Sequence, residues 1–403
     1  MAAPKSDVAE QIRRFNAGRE PERLALKYAA MRRGAFVFLR GSCHLFYDRL
    51  PPDPLLAEAP PAWCCGDLHL ENFGSYKGDN RLPYFDINDF DEAALAPLSW
   101  DLLRFLTSVL VGADDMALRK HEAHALCLTF LDTYAATLAC GKAGWIEAET
   151  ADGLVRSLLE DVSRRSRAEW LDRRTERQGA QRRIRIDGKK ALAASSAERT
   201  RAVDLLAAFA RTQPAPSFFA PLDVARRIAG TGSLGLERYV ILVQGKGGPD
   251  GNYLMDLKQA QASSLAPHLR QAQPAWTTQA QRIVAVQDRM QAVTAALLHE
   301  HGDGQRSYVL RALLPSEDRV TLDRTRVSMA DFAAVMRTMG RVAASAHLRS
   351  SGRDGSAIAD ALIDFGRRNK WRSALLGIAL GCTEQVERDW ASYCEAYDAG
   401  AFA

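Results

Sequence analysis

Paired cysteines are missing from this chain. The seven that occur, at 43, 64, 65, 127, 140, 382 and 394, are odd in number and form no C-x-x-C pair. That spacing excludes a disulfide framework or a zinc ribbon, and it reads as reduced thiols that mostly fill a core. Long apolar runs are absent too, so no segment reads as a bilayer span and no membrane partner is expected. The opening stretch "MAAPKSDVAEQIRRFNAGRE" lacks an apolar h-region, so a secretory signal is not expected and the compartment reads as cytoplasmic. Internal repeats and low-complexity blocks are also lacking.

Net charge is small, +4 over 403 residues, but it is unevenly placed. Val162 to Lys190 holds eleven basic and four acidic residues, a local +7 that leaves −3 for the rest of the chain. A tract of this kind attracts phosphates, acidic partners or nucleic acid. Stacking aromatics are nearly absent from it, with only Trp170 inside, so it reads as a solvated face or connector and nucleic acid is not the expected partner. Length and an ordinary 47% hydrophobic content point to two lobes around sizeable cores.

Residues 8–50 read as helical, ended by the proline cluster Pro51 to Pro61. "AWCC" and "RLPYFDIND" read as strands, and "PLSWDLLRFLTSVLVGA" as a helix with proline near its first turn. More helix follows through Cys140. After Pro221 the pattern changes to strands joined by glycine-rich turns, with β-branched and aromatic residues in "RYVILV". A glutamine-rich helix over about Thr277 to Leu298, the strand "SYVLRALL" and further helices complete the chain. His121, His124, His299 and His301 lack a third ligand nearby in sequence and read as structural or surface residues. The apolar stripe of Met329 to Arg349 reads as core.

Three constellations carry chemistry. In "CCGDLHLENFG" Asp67 precedes Asn72 by five residues, the spacing of a phosphotransferase loop in which Asp orients the acceptor hydroxyl and Asn holds a metal. In "FDINDFDE" the carboxylates of Asp86, Asp89, Asp91 and Glu92 crowd together, a hard-oxygen set that suits Mg²⁺ beside substrate phosphates. "GTGSLG" supplies Gly230, Gly232, Ser233 and Gly235 ahead of a strand rather than a helix, which fits a phosphate cover between antiparallel strands. Lys258 lies on the next strand, where it would reach phosphates. Taken singly, each has a plainer explanation: an Asx turn, a solvated acidic turn, or a hairpin with a snorkelling lysine.

"GDLHLEN" resembles the G-D-L-H-x-x-N catalytic loop of aminoglycoside phosphotransferases and related small-molecule kinases. The resemblance implies Asp67 as the base, His69 as its support in the catalytic loop, and Asn72 as a metal ligand. Asp89 matches the metal aspartate, with Asp86 as the alternative, and Asp101 braces the loop from its helix. Along most of its length the chain also resembles the bacterial family called domain of unknown function 2252, through "FVFLRG", "CGDLHLENFG", "FDINDFDEA", "WDLLRF", "GTGSLGLERYVIL", "LKQA" and "AHLRS". Cys65 stands where small-molecule kinases have His, and Asp288 is the only acidic residue on the helix after Lys258. Asp288 is therefore the expected carboxylate partner of that lysine.

The catalytic Asp precedes the glycine loop, so the implied fold is α+β, two-lobed and protein-kinase-like, with a circularly permuted order. Its expected parts are residues 1–150 (catalytic-loop part of a helix-rich large lobe), 151–215 (basic helical connector), 216–320 (small antiparallel-sheet, nucleotide-binding lobe) and 321–403 (helices completing the large lobe). The implied activity is ATP- and Mg²⁺-dependent phosphoryl transfer to a hydroxyl on a small molecule or protein. Transfer of AMP, or nucleotide binding by a regulatory pseudokinase, are the alternatives. The cysteine reading makes the simplest prediction: seven thiols titrate with a disulfide reagent in denaturant without prior reduction, and fewer would mean that some are paired.

Overall fold

Capping residues decide where the first helices begin. The Asp7 carboxylate accepts from Ala9 N at 3.0 Å at the start of Val8–Phe15. Glu20 accepts from the Glu22 and Arg23 amides, and Pro21 takes the first position of Pro21–Met31. Ala35–Gly41 and Cys43–Asp48 follow, so the helical stretch expected over 8–50 is four helices. The computed structural model describes residues 7–314 and 318–402.

Strand β1 (Pro61–Cys64) leads into a hairpin of β2 (Phe73–Lys77) and β3 (Pro83–Ile87), and β4 (Ala94–Pro97) returns antiparallel to β1. Helix Ser99–Val111 then runs through the interior, buried on every side except at Leu110. Lys370–Asp398 packs along it. Lys120–Cys140, among the described residues the one helix long and apolar enough to cross a membrane, packs instead against Met329–Arg349 and Ala359–Arg367. These helices and the small strands share one large core.

The connector contains more than helix. Between helices Arg167–Asp172 and Ser196–Ala210 lie a hairpin of β5 (Thr175–Gln178) and β6 (Gln181–Ile184), and then β7 (Ala191–Ala193). The high charge of the tract masks a period of two: Arg182 and Ile184 are buried while Gln181 and Arg183 are exposed. Arg182 can be buried because Asp172 (2.6 Å), Asp250 (2.8 Å) and Thr175 (3.0 Å) accept its hydrogen bonds.

β7 also opens the main sheet, ahead of the expected boundary at 216. It pairs with β8 (Pro221–Arg227), followed by β9 (Arg238–Val243), β10 (Tyr253–Gln259), β12 (Ser307–Ala312) and β11 (His299–Gly302), in the antiparallel order β11-β12-β10-β9-β8-β7. β9 is buried along its whole length because both of its faces are covered. Tyr239, Ile241 and Val243 meet Leu205, Leu206 and Phe209 of Ser196–Ala210. On the other face Val240 and Leu242 meet Leu171 and Ile184 of the connector. The helix after β10 is Gln279–Met290, shorter than the expected span to 298.

Small residues let Met329–Arg349 approach Lys120–Cys140 closely. A Cβ at Gly340 would stand 2.7 Å from the Phe130 carbonyl oxygen, which is backbone and cannot swing aside. Gly340→Leu should therefore cost about 2–3 kcal/mol through overpacking, read as a lower urea midpoint at unchanged m-value. A shift within error would show that the two helices can separate freely.

Candidate functional site

Pairing of β1 with β4 determines what meets in the site. Cys64 lies opposite Ala94, so the segments entering and leaving these strands, 65–72 and 88–93, are brought side by side. Asn88 N donates to Asn72 O at 2.8 Å and fixes the two together. Gly66 allows the turn: its φ is +81°, and a Cβ there would land on the Glu92 carbonyl oxygen. Asp101, in the first turn of Ser99–Val111, accepts from Cys65 N and Gly66 N, both at 2.9 Å, and the Tyr47 hydroxyl donates to Gly66 O at 2.5 Å. Asp101 thus braces the loop as expected. Behind it lies a buried set in which His347 Nε2 is 3.7 Å from Asp101 and His347 Nδ1 is 2.6 Å from the Tyr134 hydroxyl. Cys64 Sγ lies within 4.8 Å of the same carboxylate and ring. Burial holds that thiol protonated, and both Asp101 oxygens already accept backbone amides. The group therefore reads as a structural brace rather than a metal centre.

Asp67 projects from this turn into a cleft with about a fifth of its side chain exposed. Arg104, fully buried and one turn beyond Asp101 on the same helix, donates to Asp67 Oδ1 through Nε at 2.9 Å and Nη2 at 2.8 Å. Burial lifts the Asp67 carboxyl above its usual range, and Arg104 only partly offsets it. The His69 ring lies with Nε2 3.9 Å from Asp67 Oδ2, while its Nδ1 accepts from Glu71 N at 3.1 Å. Burial, with Arg40, Arg104 and Arg319 nearby, keeps that imidazole neutral. Asn72 donates its side-chain amide to Asp67 O at 2.5 Å, which leaves its Oδ1 as an acceptor in the same cleft.

Lys258 enters from the sheet. Its ammonium contacts Asp91 directly and lies 3.8 Å from Asp89 Oδ1. Burial works upward on the Asp89 carboxyl, but Lys258, Arg311 and Arg238 together hold it below the usual carboxylate range. Ser263 and Ser264 secure the Glu92 backbone and carboxylate. From Gln279–Met290, Arg282 donates to the carbonyls of Asp91, Ala93 and Gln261. Two residues beyond Lys258 on the same sheet face, buried Asp256 is ringed by Arg227 (2.5 Å), Arg238 (2.7 Å) and Arg311 (3.7 Å). Against burial, those arginines hold the Asp256 carboxyl well below its usual range, while burial pushes Arg227 down to about 9. One carboxylate among three guanidinium groups leaves this buried cluster beside Lys258 positive.

The glycine loop joins β8 to β9, and its Gly230, Gly232 and Ser233 line the cleft over Asp67 and Asp89. Gly235 lies outside the lining, packed at φ +89° against Arg19 and Leu24. Arg19 Nη1 (2.8 Å) and Lys27 Nζ (3.1 Å) both donate to Gly232 O, and Glu20 N donates to Gly235 O at 2.8 Å. Burial and the neighbouring Arg19 push the Lys27 ammonium far below its usual range.

Besides Gly235, two of the expected site residues lie elsewhere. Asp288 is on the outer side of its helix near Thr294 and Asp79, and the carboxylates at Lys258 come instead from the acidic turn. Asp86 points away from the cleft, because strand alternation on β3 turns it inward to the amides of Ile87 (2.8 Å) and Ala292 (3.3 Å). Arg104, Arg282, Arg40 and Arg319 were not foreseen. Of these Arg104 had a sequence signal in its i+3 spacing from Asp101, and Arg40 lay within the quoted "FVFLRG".

These elements define an α+β protein in which the polar loop of a helical body and the glycine loop of an antiparallel sheet close one cleft. Residues 19–396 match the family described as "Uncharacterized protein conserved in bacteria (DUF2252)", and the chain belongs to that family. No curated protein and no solved structure matches it.

Burial raises the Asp86 carboxyl from 3.8 to about 6. A raised carboxyl favours the fold while protonated, so its contribution is full below pH 4 and is lost as pH rises through 6. Asp86→Asn should remove that decline and stabilise the protein at pH 7 by about 1–3 kcal/mol. Urea midpoints measured from pH 4 to 7 check this, and a parallel loss of stability at every pH would contradict it.

Proposed function

We propose that the protein is a Mg·ATP-dependent phosphotransferase acting on a hydroxyl, built on a two-lobed kinase-like plan in permuted order. One observation carries this reading: Lys258 and Asp89, 169 residues apart in sequence, are brought to within 3.8 Å of each other, and Asp89 lines the cleft. Asp67, Asn72 and the glycine loop line the same space. In this state the acidic turn holds the lysine, so nucleotide phosphates would enter between Lys258 and the carboxylates.

Beyond the glycine loop a narrow slot has one apolar side, with Ile228, Ala229, Val240, Leu254, Leu313 and Leu314, and one charged side, with Arg173, Arg174, Arg185, Asp187, Lys190 and Arg227. Its apolar side and the backbone of the Leu313–Leu314 connection suit a purine ring. The positive cluster around Asp256 lies between slot and Lys258, along the path of the phosphates. Asn72 Oδ1 and the Asp89 carboxylate are the hard oxygen donors that would hold Mg²⁺, which when bound neutralises charge on the transferred group. Asp67 would orient the acceptor hydroxyl and take its proton at Oδ2, while Arg104 fixes the opposite oxygen. A lifted Asp67 carboxyl is a better base than an ordinary one. Catalysis rests on positioning and charge rather than on a covalent intermediate.

Calorimetry should detect Mg·ATP binding, and Lys258→Met should weaken it. Asp67→Asn should retain nucleotide binding and lower turnover of γ-labelled ATP about 10²–10⁴-fold. Label carried from the α-phosphate into product would replace this reading with AMP transfer. Nucleotide binding without turnover on a broad hydroxyl panel would replace it with a regulatory nucleotide sensor.

A further inference from the structure

Arg40 and Arg319 reach the same cleft from opposite ends of the chain. Arg40 ends the Ala35–Gly41 helix region, and Arg319 follows the main sheet. Both point Nη1 at one atom, Glu71 Oε2, at 2.8 and 2.7 Å. Glu71 belongs to the Asp67 loop, four residues on, and its side chain is 41% exposed. A single carboxylate oxygen therefore tethers two guanidinium groups, each with further donors. Arg40 Nε, though buried, has no hydrogen-bond partner among the described residues. The cleft lining includes both arginines together with Asp67, His69 and Asn72. Nothing in the proposed chemistry uses them: Lys258 and the positive cluster beside it serve the nucleotide phosphates, and Arg104 serves Asp67.

We infer that Arg40 and Arg319 form an anion subsite at the acceptor end of the cleft, so that the acceptor carries a carboxylate or phosphate besides its hydroxyl. This rests on the phosphotransferase reading for the hydroxyl, but not for the anion. Guanidinium forks match both carboxylate and phosphate oxygens. Glu71 already occupies one lobe of the pair and shows that the geometry accepts a carboxylate. An incoming anion would engage the remaining donors or displace the partly exposed Glu71. The subsite shares the cleft with the proton-accepting Asp67, which places the acceptor's charge near its reacting hydroxyl. Small hydroxy acids and sugar phosphates have that chemistry, whereas aminoglycoside-type cationic acceptors would be repelled.

The test uses the full chain with Mg²⁺, γ-labelled ATP and acceptors in matched sets: glycerol, glycerate, glycerol 3-phosphate and choline. Label transfer confined to the anionic members is expected, with glycerate against glycerol 3-phosphate deciding between carboxylate and phosphate. In Arg319→Ala and Arg40→Ala the acceptor KM should rise tenfold or more, with kcat and the KM for ATP little changed. Comparable transfer to glycerol or choline overturns the inference, as does a fall in kcat at constant acceptor KM, which would mean that the arginines serve the transferred phosphoryl group. A separate arm titrates glycerate and glycerol 3-phosphate calorimetrically without nucleotide. Binding that Arg319→Ala and Arg319→Gln both lose, at unchanged urea midpoint, supports the subsite even where no label is transferred and the phosphotransferase reading fails. No binding of either anion to the unaltered protein overturns the subsite while leaving Mg·ATP turnover intact.

Discussion

The Lys258 ammonium rests against Asp91 and Asp89, and on that contact the sheet and the helical body meet at the cleft. A lysine on an interior strand needs a counter-charge, because an unpaired buried ammonium costs several kcal/mol. The acidic turn supplies it and is in turn paired with the cation, so its close carboxylates do not push apart. The turn is also held from behind by Arg282 and the two serines at Glu92. Removing either side of the contact would strand charge in a partly dry space.

Charge is handled in the same way elsewhere around the cleft. Asp67 with Arg104, Asp256 with three arginines, and Glu71 with Arg40 and Arg319 are each local clusters with little excess on the negative side. The two clusters with more than one arginine both lean positive. One lies two residues from Lys258 on β10, and the other lies on the Asp67 loop with Arg40 and Arg319 in the cleft lining. A divalent cation at the acidic turn would complete the pattern.

Much of this was legible along the chain because the signals are local. Asp67 to Asn72 is marked by spacing, and the glycine loop by the strands around it. The Asp101 brace was implied by the resemblance to small-molecule kinase loops. What could not be read depends on distance in sequence. Lys258 takes its carboxylates from 167 residues away, so the search for a partner on the next helix settled on Asp288, which faces outward. Choosing between Asp86 and Asp89 required knowing which side of β3 faces the core. The β5–β6 hairpin was hidden because Arg182, charged yet buried, broke the polar–apolar alternation that reveals a strand. Arg40 lies within "FVFLRG", which by itself assigns no chemistry, and Arg319 carries no local motif.

The hydrogen bonds from Arg19 and Lys27 to Gly232 O make the glycine loop mechanically part of the N-terminal helices as much as of the sheet. A loop held only by its two strands can lift away when the sheet rocks. This one is moored from the side opposite its strands, so the sheet cannot tilt open at that edge without carrying residues 19–27 along.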